Sequence, residues 1–220
     1  MSDTVTQANQ AAMRSAVATR QGAATPRRLR EILCLEDFEE PARGFLPRPI
    51  FGYISGGVET NASLAANRAA FGELEFLPRV LVNTKARHQK TTLFGRTYDL
   101  PFGFPPMGGT SLAAYQGDSV LARAAAELNT VMIQSGASLT RMERIREVGS
   151  TAWFQAYLPG EPEIITPLVE RAQRAGFEVL VLTVDVQVSA NRENNVRSGY
   201  SSPLKPTPRL AWDCMLRPRW

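Results

Sequence analysis

The chain has 220 residues, 44% of them hydrophobic, so it can bury a sizeable core, and its formal charge of +4 is modest. Its arginines are dispersed, with no basic stripe interleaved with aromatics, which excludes a nucleic-acid partner. The two cysteines, Cys34 and Cys214, form no metal or redox motif, so no metal is expected and a reducing cytoplasm is the compartment they suit.

Residues 1–28 are rich in Ala, Gln, Thr and Arg, lack the apolar core of a secretory signal, and read as a disordered tail, with a transit peptide as the alternative. Residues 29–220 read as one domain, without a dividing linker, and no apolar run approaches the roughly 18 residues of a membrane span. Glu36-Asp37-Phe38-Glu39-Glu40 brings acids to a helix amino terminus. Residues 47–54 form a second short helix closed by Gly56-Gly57. A further helix over 61–71 carries Leu64, Arg68 and Phe71 on one side, and residues 91–100 make a hairpin that turns at Gly95 and plugs the bottom of the fold.

From Phe102 onward the pattern changes to short apolar runs that each end in polar residues. Phe102-Gly103-Phe104 leads into Pro105-Pro106-Met107-Gly108-Gly109, Val131-Met132-Ile133 into Gln134-Ser135-Gly136, and Ala152-Trp153-Phe154 into Gln155-Ala156-Tyr157. Val179-Leu180-Val181-Leu182 leads into Thr183-Val184-Asp185. Between them, residues 119–128, 141–148 and 164–175 have helical spacing, the last closed by Gly176. Strand ends recur every 20 to 30 residues, roughly the length of a βαβ unit. The pattern predicts an α/β fold with parallel strands, whose active site collects just past the strands' carboxyl ends. No Gly-x-Gly-x-x-Gly turn follows the first strand, which excludes a nicotinamide-binding Rossmann domain.

Six segments occur in an order that carries a resemblance: Phe51-Gly52-Tyr53-Ile54-Ser55-Gly56-Gly57, Asn67-Arg68-Ala69-Ala70-Phe71, Leu77-Pro78-Arg79-Val80-Leu81, Trp153-Phe154-Gln155-Ala156-Tyr157, Arg171-Ala172-Gln173-Arg174-Ala175-Gly176-Phe177, and Leu182-Thr183-Val184-Asp185. Over residues 29–200 the chain resembles the FMN-dependent 2-hydroxy acid oxidases and dehydrogenases, the family of glycolate oxidase, lactate oxidase, L-lactate dehydrogenase and mandelate dehydrogenase. The resemblance implies a TIM barrel with FMN over its carboxyl-terminal face. A TIM barrel takes about 250 residues and eight βα units. Here four strands are used by Leu182, and the Pro-rich remainder reads as an excursion after the fourth. The expectation is the first four βα units, a half-barrel preceded by short helices, with the carboxyl-terminal half absent.

The resemblance assigns roles residue by residue. Tyr53 matches a tyrosine that holds the substrate carboxylate; alone, it reads as a core aromatic with a wet hydroxyl. Tyr157 matches the tyrosine that hydrogen-bonds the reacting substrate, and its alternative is a rim aromatic. Ser135, Gln155 and Thr183 match residues along the polar edge of the flavin, where Ser and Thr alone read as helix caps. Pro106, Met107 and Gly108 match the loop whose backbone lies along the ring. Asp185 matches the carboxylate that orients the catalytic histidine, and Arg192 an arginine at the substrate mouth, with a surface ion pair as its alternative. The resemblance places the family's histidine base, the arginine that grips the substrate carboxylate, the flavin-side lysine and the phosphate loops in the half that this chain lacks. The sole histidine, His88, precedes the first barrel strand and reads as a solvated loop residue.

The activity implied is oxidation of a lactate-, glycolate- or mandelate-like L-2-hydroxy acid by the complete enzyme, with this chain inactive alone. Its partners would be that small acid and the missing half or a second copy. The alternative is a noncatalytic half-barrel that pairs with itself or another chain. Some members of the family dock on membranes through a segment after strand four. Trp212, Met215, Leu216 and Trp220 give the corresponding segment here an interfacial character, so the cytoplasmic placement extends to peripheral contact with the inner membrane face.

Overall fold

The computed structural model describes residues 26–149, 151–158, 160–185 and 188–220. Most of the tail expected over residues 1–28 lies outside them. The chain divides into two compact units, the first ending at Phe45 and the second running from Leu46 to Trp220.

In the first unit, two 3-10 turns, Arg27–Leu29 and Glu36–Phe38, precede helix α1, Glu39–Phe45. The Asp37 carboxylate accepts the backbone N–H groups of Leu33 and Cys34 at 2.7 and 3.0 Å. Those bonds to its charged form hold it below the usual carboxylate range.

The second unit opens with helix α2, Arg48–Ser55. Pro47 precedes it and offers no side-chain cap. The buried carboxylate of Asp213, far along the chain, accepts the Arg48 N–H instead, which places a negative charge at the positive end of the helix. Helix α3, Ala62–Ala69, continues into a 3-10 turn at Ala70–Glu73, close to the helix expected over 61–71. Strands β1, Thr91–Leu93, and β2, Arg96–Tyr98, form the expected antiparallel hairpin. Its two-residue turn has positive φ at Phe94 and Gly95, as the strand twist requires.

Short helix α4, Thr110–Ala113, and helix α5, Gly117–Glu127, then begin the alternation with strands: β3 Met132–Gln134, helix α6 Met142–Val148, β4 Ala152–Ala156, helix α7 Pro162–Arg174, and β5 Leu180–Leu182. The three strands are parallel in the order β3-β4-β5. Helices α8, Glu193–Ser198, and α9, Pro208–Met215, follow as the expected excursion, with no strand among the described residues after β5.

The run expected as the first strand shrinks to one parallel bridge, Phe104 with Met132. Phe104 donates to the Val131 carbonyl and accepts from Ile133 N–H. Alternate residues of a strand face a given neighbour. Of those flanking positions, Pro106 has no N–H, and the Phe102 carbonyl is taken by the Thr130 hydroxyl. The ladder cannot extend in either direction.

One sheet face packs against the helices. Met132, Ala152, Phe154 and Ala156 bury themselves against Ala122 and Ala125 of α5, Met142 and Ile145 of α6, Ala172 of α7, and Phe177. Full burial of a side chain such as Ile145 contributes about 1.5–3 kcal/mol. The other face, with Ile133 and Trp153, joins Leu93, Tyr98 and Phe104 around an apolar cavity of about 330 Å³. The Trp153 indole donates to the Tyr98 hydroxyl at 3.1 Å, which fastens the hairpin at the strands' amino-terminal end. Among the described residues β5 pairs only with β4, and Leu182 is 50% exposed. The architecture is that of an unclosed half of a (βα)8 barrel.

Candidate functional site

In a parallel sheet every strand delivers its following residues to the same end, so neighbouring strands bring distant segments together there. Ser135 directly follows β3, Gln155 is the penultimate residue of β4, and Thr183 directly follows β5. The three side chains form one hydrogen-bonded belt across the strand ends. Gln155 is 1% exposed, and its Oε1 accepts the Ser135 hydroxyl at 3.2 Å and the Gly136 N–H at 3.1 Å. Its Nε2 donates to Thr183 Oγ1 at 2.8 Å. Ser135 Oγ in turn accepts the Ala137 N–H in a local turn, and does not cap α6, which begins at Met142 without a side-chain cap. Among the described residues, counting donors leaves one Gln155 amide N–H and the Thr183 O–H uncommitted.

A second group surrounds a cavity of about 420 Å³ lined by Ile50, Tyr53, Met107, Gly108, Thr110 and Arg192, among others. Arg192 makes no ion pair with a neighbouring carboxylate among the described residues. Its Nη2 donates to the backbone carbonyls of Tyr53 at 3.1 Å and Gly56 at 2.9 Å, and the guanidinium lies 4.8 Å from the Tyr53 ring centroid. Gly108 joins the two groups: a Cβ built there would lie 3.1 Å from Ala137 Cβ and 3.9 Å from Ser135 Oγ. The loop that includes Pro106, Met107 and Gly108 is exposed at the same strand ends.

Tyr157 and Asp185 follow β4 and β5 at this end of the sheet, and both are exposed. Neither makes a hydrogen bond or ion pair with the other predicted residues among those described. His88 is exposed in the coil before β1. No cluster of metal-ligating side chains occurs among the described residues.

Two contributors were not foreseen from sequence. Tyr200 stacks on Tyr53, with ring centroids 4.3 Å apart and planes 14° from parallel. Burial raises the Tyr200 phenol above its usual range, with Tyr53 adding to the shift and Arg192 opposing it. Asn194 donates to Asn61 Oδ1 at 2.8 Å, which ties the segment after β5 to the loop before α3. Nothing in the local pattern around Gly199-Tyr200 marks a contact across so long a sequence separation.

The belt fits the ring of a flavin on its own chemistry. It is neutral and fixed on strand ends, and its amide and hydroxyl groups are of the kind that pair with ring carbonyl oxygens. The comparisons with known proteins give the family. Residues 42–220 match the family described as FMN-dependent dehydrogenase. The chain is 37% identical to an L-lactate oxidase of Lysinibacillus sphaericus over 175 residues, covering 79% of this chain and 45% of that protein. It is 35% identical to an L-lactate dehydrogenase of Caulobacter vibrioides, covering 84% of this chain and 48% of that one. Among solved structures, a monotopic membrane protein, (S)-mandelate dehydrogenase, superposes with a TM-score of 0.78 at 30% identity, covering 84% of this chain and 50% of that chain. A mandelate oxidase superposes at 0.72 with 35% identity, covering 76% of this chain and 49% of that chain. The chain thus spans about half the length of the curated relatives it matches. By its open parallel sheet, its belt of strand-end side chains and its match over residues 42–220, the chain belongs to the family of FMN-dependent 2-hydroxy-acid oxidases and dehydrogenases.

Proposed function

We propose that this chain serves in the FMN-dependent oxidation of an L-2-hydroxy acid, of the lactate, glycolate or mandelate kind, to the 2-oxo acid. The observation that carries the reading is the Ser135–Gln155–Thr183 belt, three side chains from three strands held in one hydrogen-bonded line. In this reading, Gln155 and Thr183 donate to the polar edge of the flavin, Ser135 fixes the Gln155 amide, and the backbone of Pro106, Met107 and Gly108 lies along the ring. Tyr53 and Arg192 bind the substrate carboxylate at the mouth of their shared cavity, and Tyr157 hydrogen-bonds the reacting hydroxyl. Asp185 orients a protonated imidazole supplied from outside this chain, whose sole histidine, His88, precedes β1. FMN, when bound, supplies the two-electron acceptor. Residues 29–220 are taken as the amino-terminal part of one barrel domain.

A missing general base alone lowers a rate by about 10²–10⁴-fold, so the 220-residue chain by itself is expected to be silent. The test is the visible spectrum of the purified chain with and without FMN, alongside its mass in solution. The reading expects a flavin spectrum perturbed by the chain but not by the Gln155→Leu variant, and no bleaching by anaerobic L-lactate. Identical spectra with both proteins would overturn the assigned flavin site, and bleaching would overturn the inactivity.

A second reading, a noncatalytic half-barrel that pairs with itself or another chain, is favoured by one observation: among the described residues β5 has a strand on one side only, and Leu180, Leu182 and Val184 are exposed there. A dimer mass without flavin uptake would support it. For placement, we take the chain as cytoplasmic with peripheral contact at the inner membrane face. Trp212, Met215 and Leu216 form an exposed apolar stripe on and just after α9, flanked by Arg209 and Arg219. No helix among the described residues is long and apolar enough to cross a membrane.

A further inference from the structure

We infer that Tyr200 is a positioning residue that holds the Tyr53 phenol in the orientation needed to bind a carboxylate. The inference rests on the reading of the Tyr53 cavity as a carboxylate site and adds a residue to it. Tyr53 lies in the last turn of α2, half-buried, and a side chain there has rotamers to choose from. Two groups restrict it: the Tyr200 ring stacked at 4.3 Å and the Arg192 guanidinium at 4.8 Å. Among the described residues neither phenol hydroxyl has a hydrogen-bond partner, so the Tyr53 hydroxyl is oriented by ring packing and remains free for a ligand.

Tyr200 is itself held firmly. Gly199 takes a left-handed conformation, φ +80°, that ends α8 and turns the chain back, and the Tyr200 N–H bonds the Asn195 carbonyl at 2.8 Å. Helix α8 rests directly on α2 through glycine. A Cβ built at Gly52 would fall 2.4 Å from Ser198 Cβ, and one at Gly56 would fall 2.6 Å from Asn194 Cβ. Arg192 and Asn194 bond the carbonyls of Tyr53, Gly56 and Gly57 from the same segment. The residues after β5 therefore clamp the end of α2, and Tyr200 is the part of the clamp that touches the Tyr53 ring.

The test uses the 220-residue chain with oxalate as a stable carboxylate probe. Oxalate affinity is measured by calorimetry, and the order of the tyrosine pair is measured without ligand by near-ultraviolet circular dichroism. An aromatic pair contributes enough that Tyr200→Ala should weaken oxalate binding about 3- to 10-fold and diminish the tyrosine dichroism. Tyr200→Phe keeps the stack and should bind within about two-fold of the parent. Gly52→Ala, whose Cβ would meet Ser198 rather than Tyr200, should reproduce the Tyr200→Ala phenotype. If Tyr53→Phe weakens oxalate binding while Tyr200→Ala binds like the parent, the positioning role is wrong and the carboxylate site stands. Equal weakening by Tyr200→Phe and Tyr200→Ala would also overturn it, by showing that the hydroxyl matters rather than the ring. If the parent fails to bind oxalate, or Tyr53→Phe leaves binding unchanged, the reading of the cavity itself falls.

Discussion

Replacing Gln155 by Leu keeps a side chain of similar length at the end of β4 and removes every hydrogen bond of the belt. The parent amide accepts from Ser135 Oγ and Gly136 N–H and donates to Thr183 Oγ1, at 3.2, 3.1 and 2.8 Å. The Thr183 hydroxyl can rotate toward solvent, whereas the Gly136 N–H is fixed by the backbone and Ser135 is buried. Each intramolecular bond contributes about 1 kcal/mol net, and a buried group left without a partner costs about 1–3 kcal/mol. The variant is therefore expected to lose about 2–4 kcal/mol. Equilibrium urea unfolding reads this as a fall of roughly 1–2 M in the midpoint with an unchanged slope. Thr183→Val, alone and combined with Gln155→Leu, completes a double-mutant cycle, and contact between the two predicts a coupling of about 0.5–1.5 kcal/mol. A midpoint within about 0.3 M of the parent, or strictly additive losses, would refute the belt as a connected unit.

Two further outcomes follow from the packing and the charges. Gly103→Ala places a Cβ 2.2 Å from the Val131 carbonyl oxygen, a backbone atom of the very residue that bonds Phe104. It should cost at least about 2 kcal/mol in urea unfolding, whereas Gly72→Ala, which meets nothing within 4 Å, should change stability by less than about 0.5 kcal/mol. Glu143 on α6 receives two hydrogen bonds from Arg171 on α7, at 2.7 and 2.9 Å, and that guanidinium holds its carboxyl down to about 2. Because the folded value lies below the unfolded one, near 4.3, the pair stabilises the fold fully above about pH 5 and is lost as pH falls toward 2. Glu143→Gln should therefore lower the thermal midpoint at pH 6, and its gap to the parent should close by pH 2. A gap that stays constant with pH would show the ion pair to be irrelevant to stability.

Much of the scaffold is legible in local pattern. Helical spacing over 119–128, 141–148 and 164–175 corresponds to α5, α6 and α7, which differ only at their ends. The runs ending at Ser135, Gln155 and Thr183 become β3, β4 and β5, because an apolar run between amphipathic helices has only a parallel sheet in which to bury itself. The first strand is where pattern misleads. Phe102-Gly103-Phe104 is apolar enough, but Pro106 and the Thr130 hydroxyl remove the partners that a ladder needs.

By itself, the sequence determined which residues reach the carboxyl end of the sheet. In parallel βα units the residue that follows a strand emerges at the same end every time, so order along the chain becomes position in space. Only the tertiary structure decided how those residues hold one another: Gln155 bridging Ser135 and Thr183, Asp213 capping α2, Arg192 spending its Nη2 on two carbonyls, and Tyr200 lying on Tyr53. Arg192 and Tyr53 are 139 positions apart, and Asp213 and Arg48 are 165 apart. Contacts of that separation leave no trace in periodicity, because they arise from how the segment after β5 folds back on α2 rather than from any preference of the residues themselves.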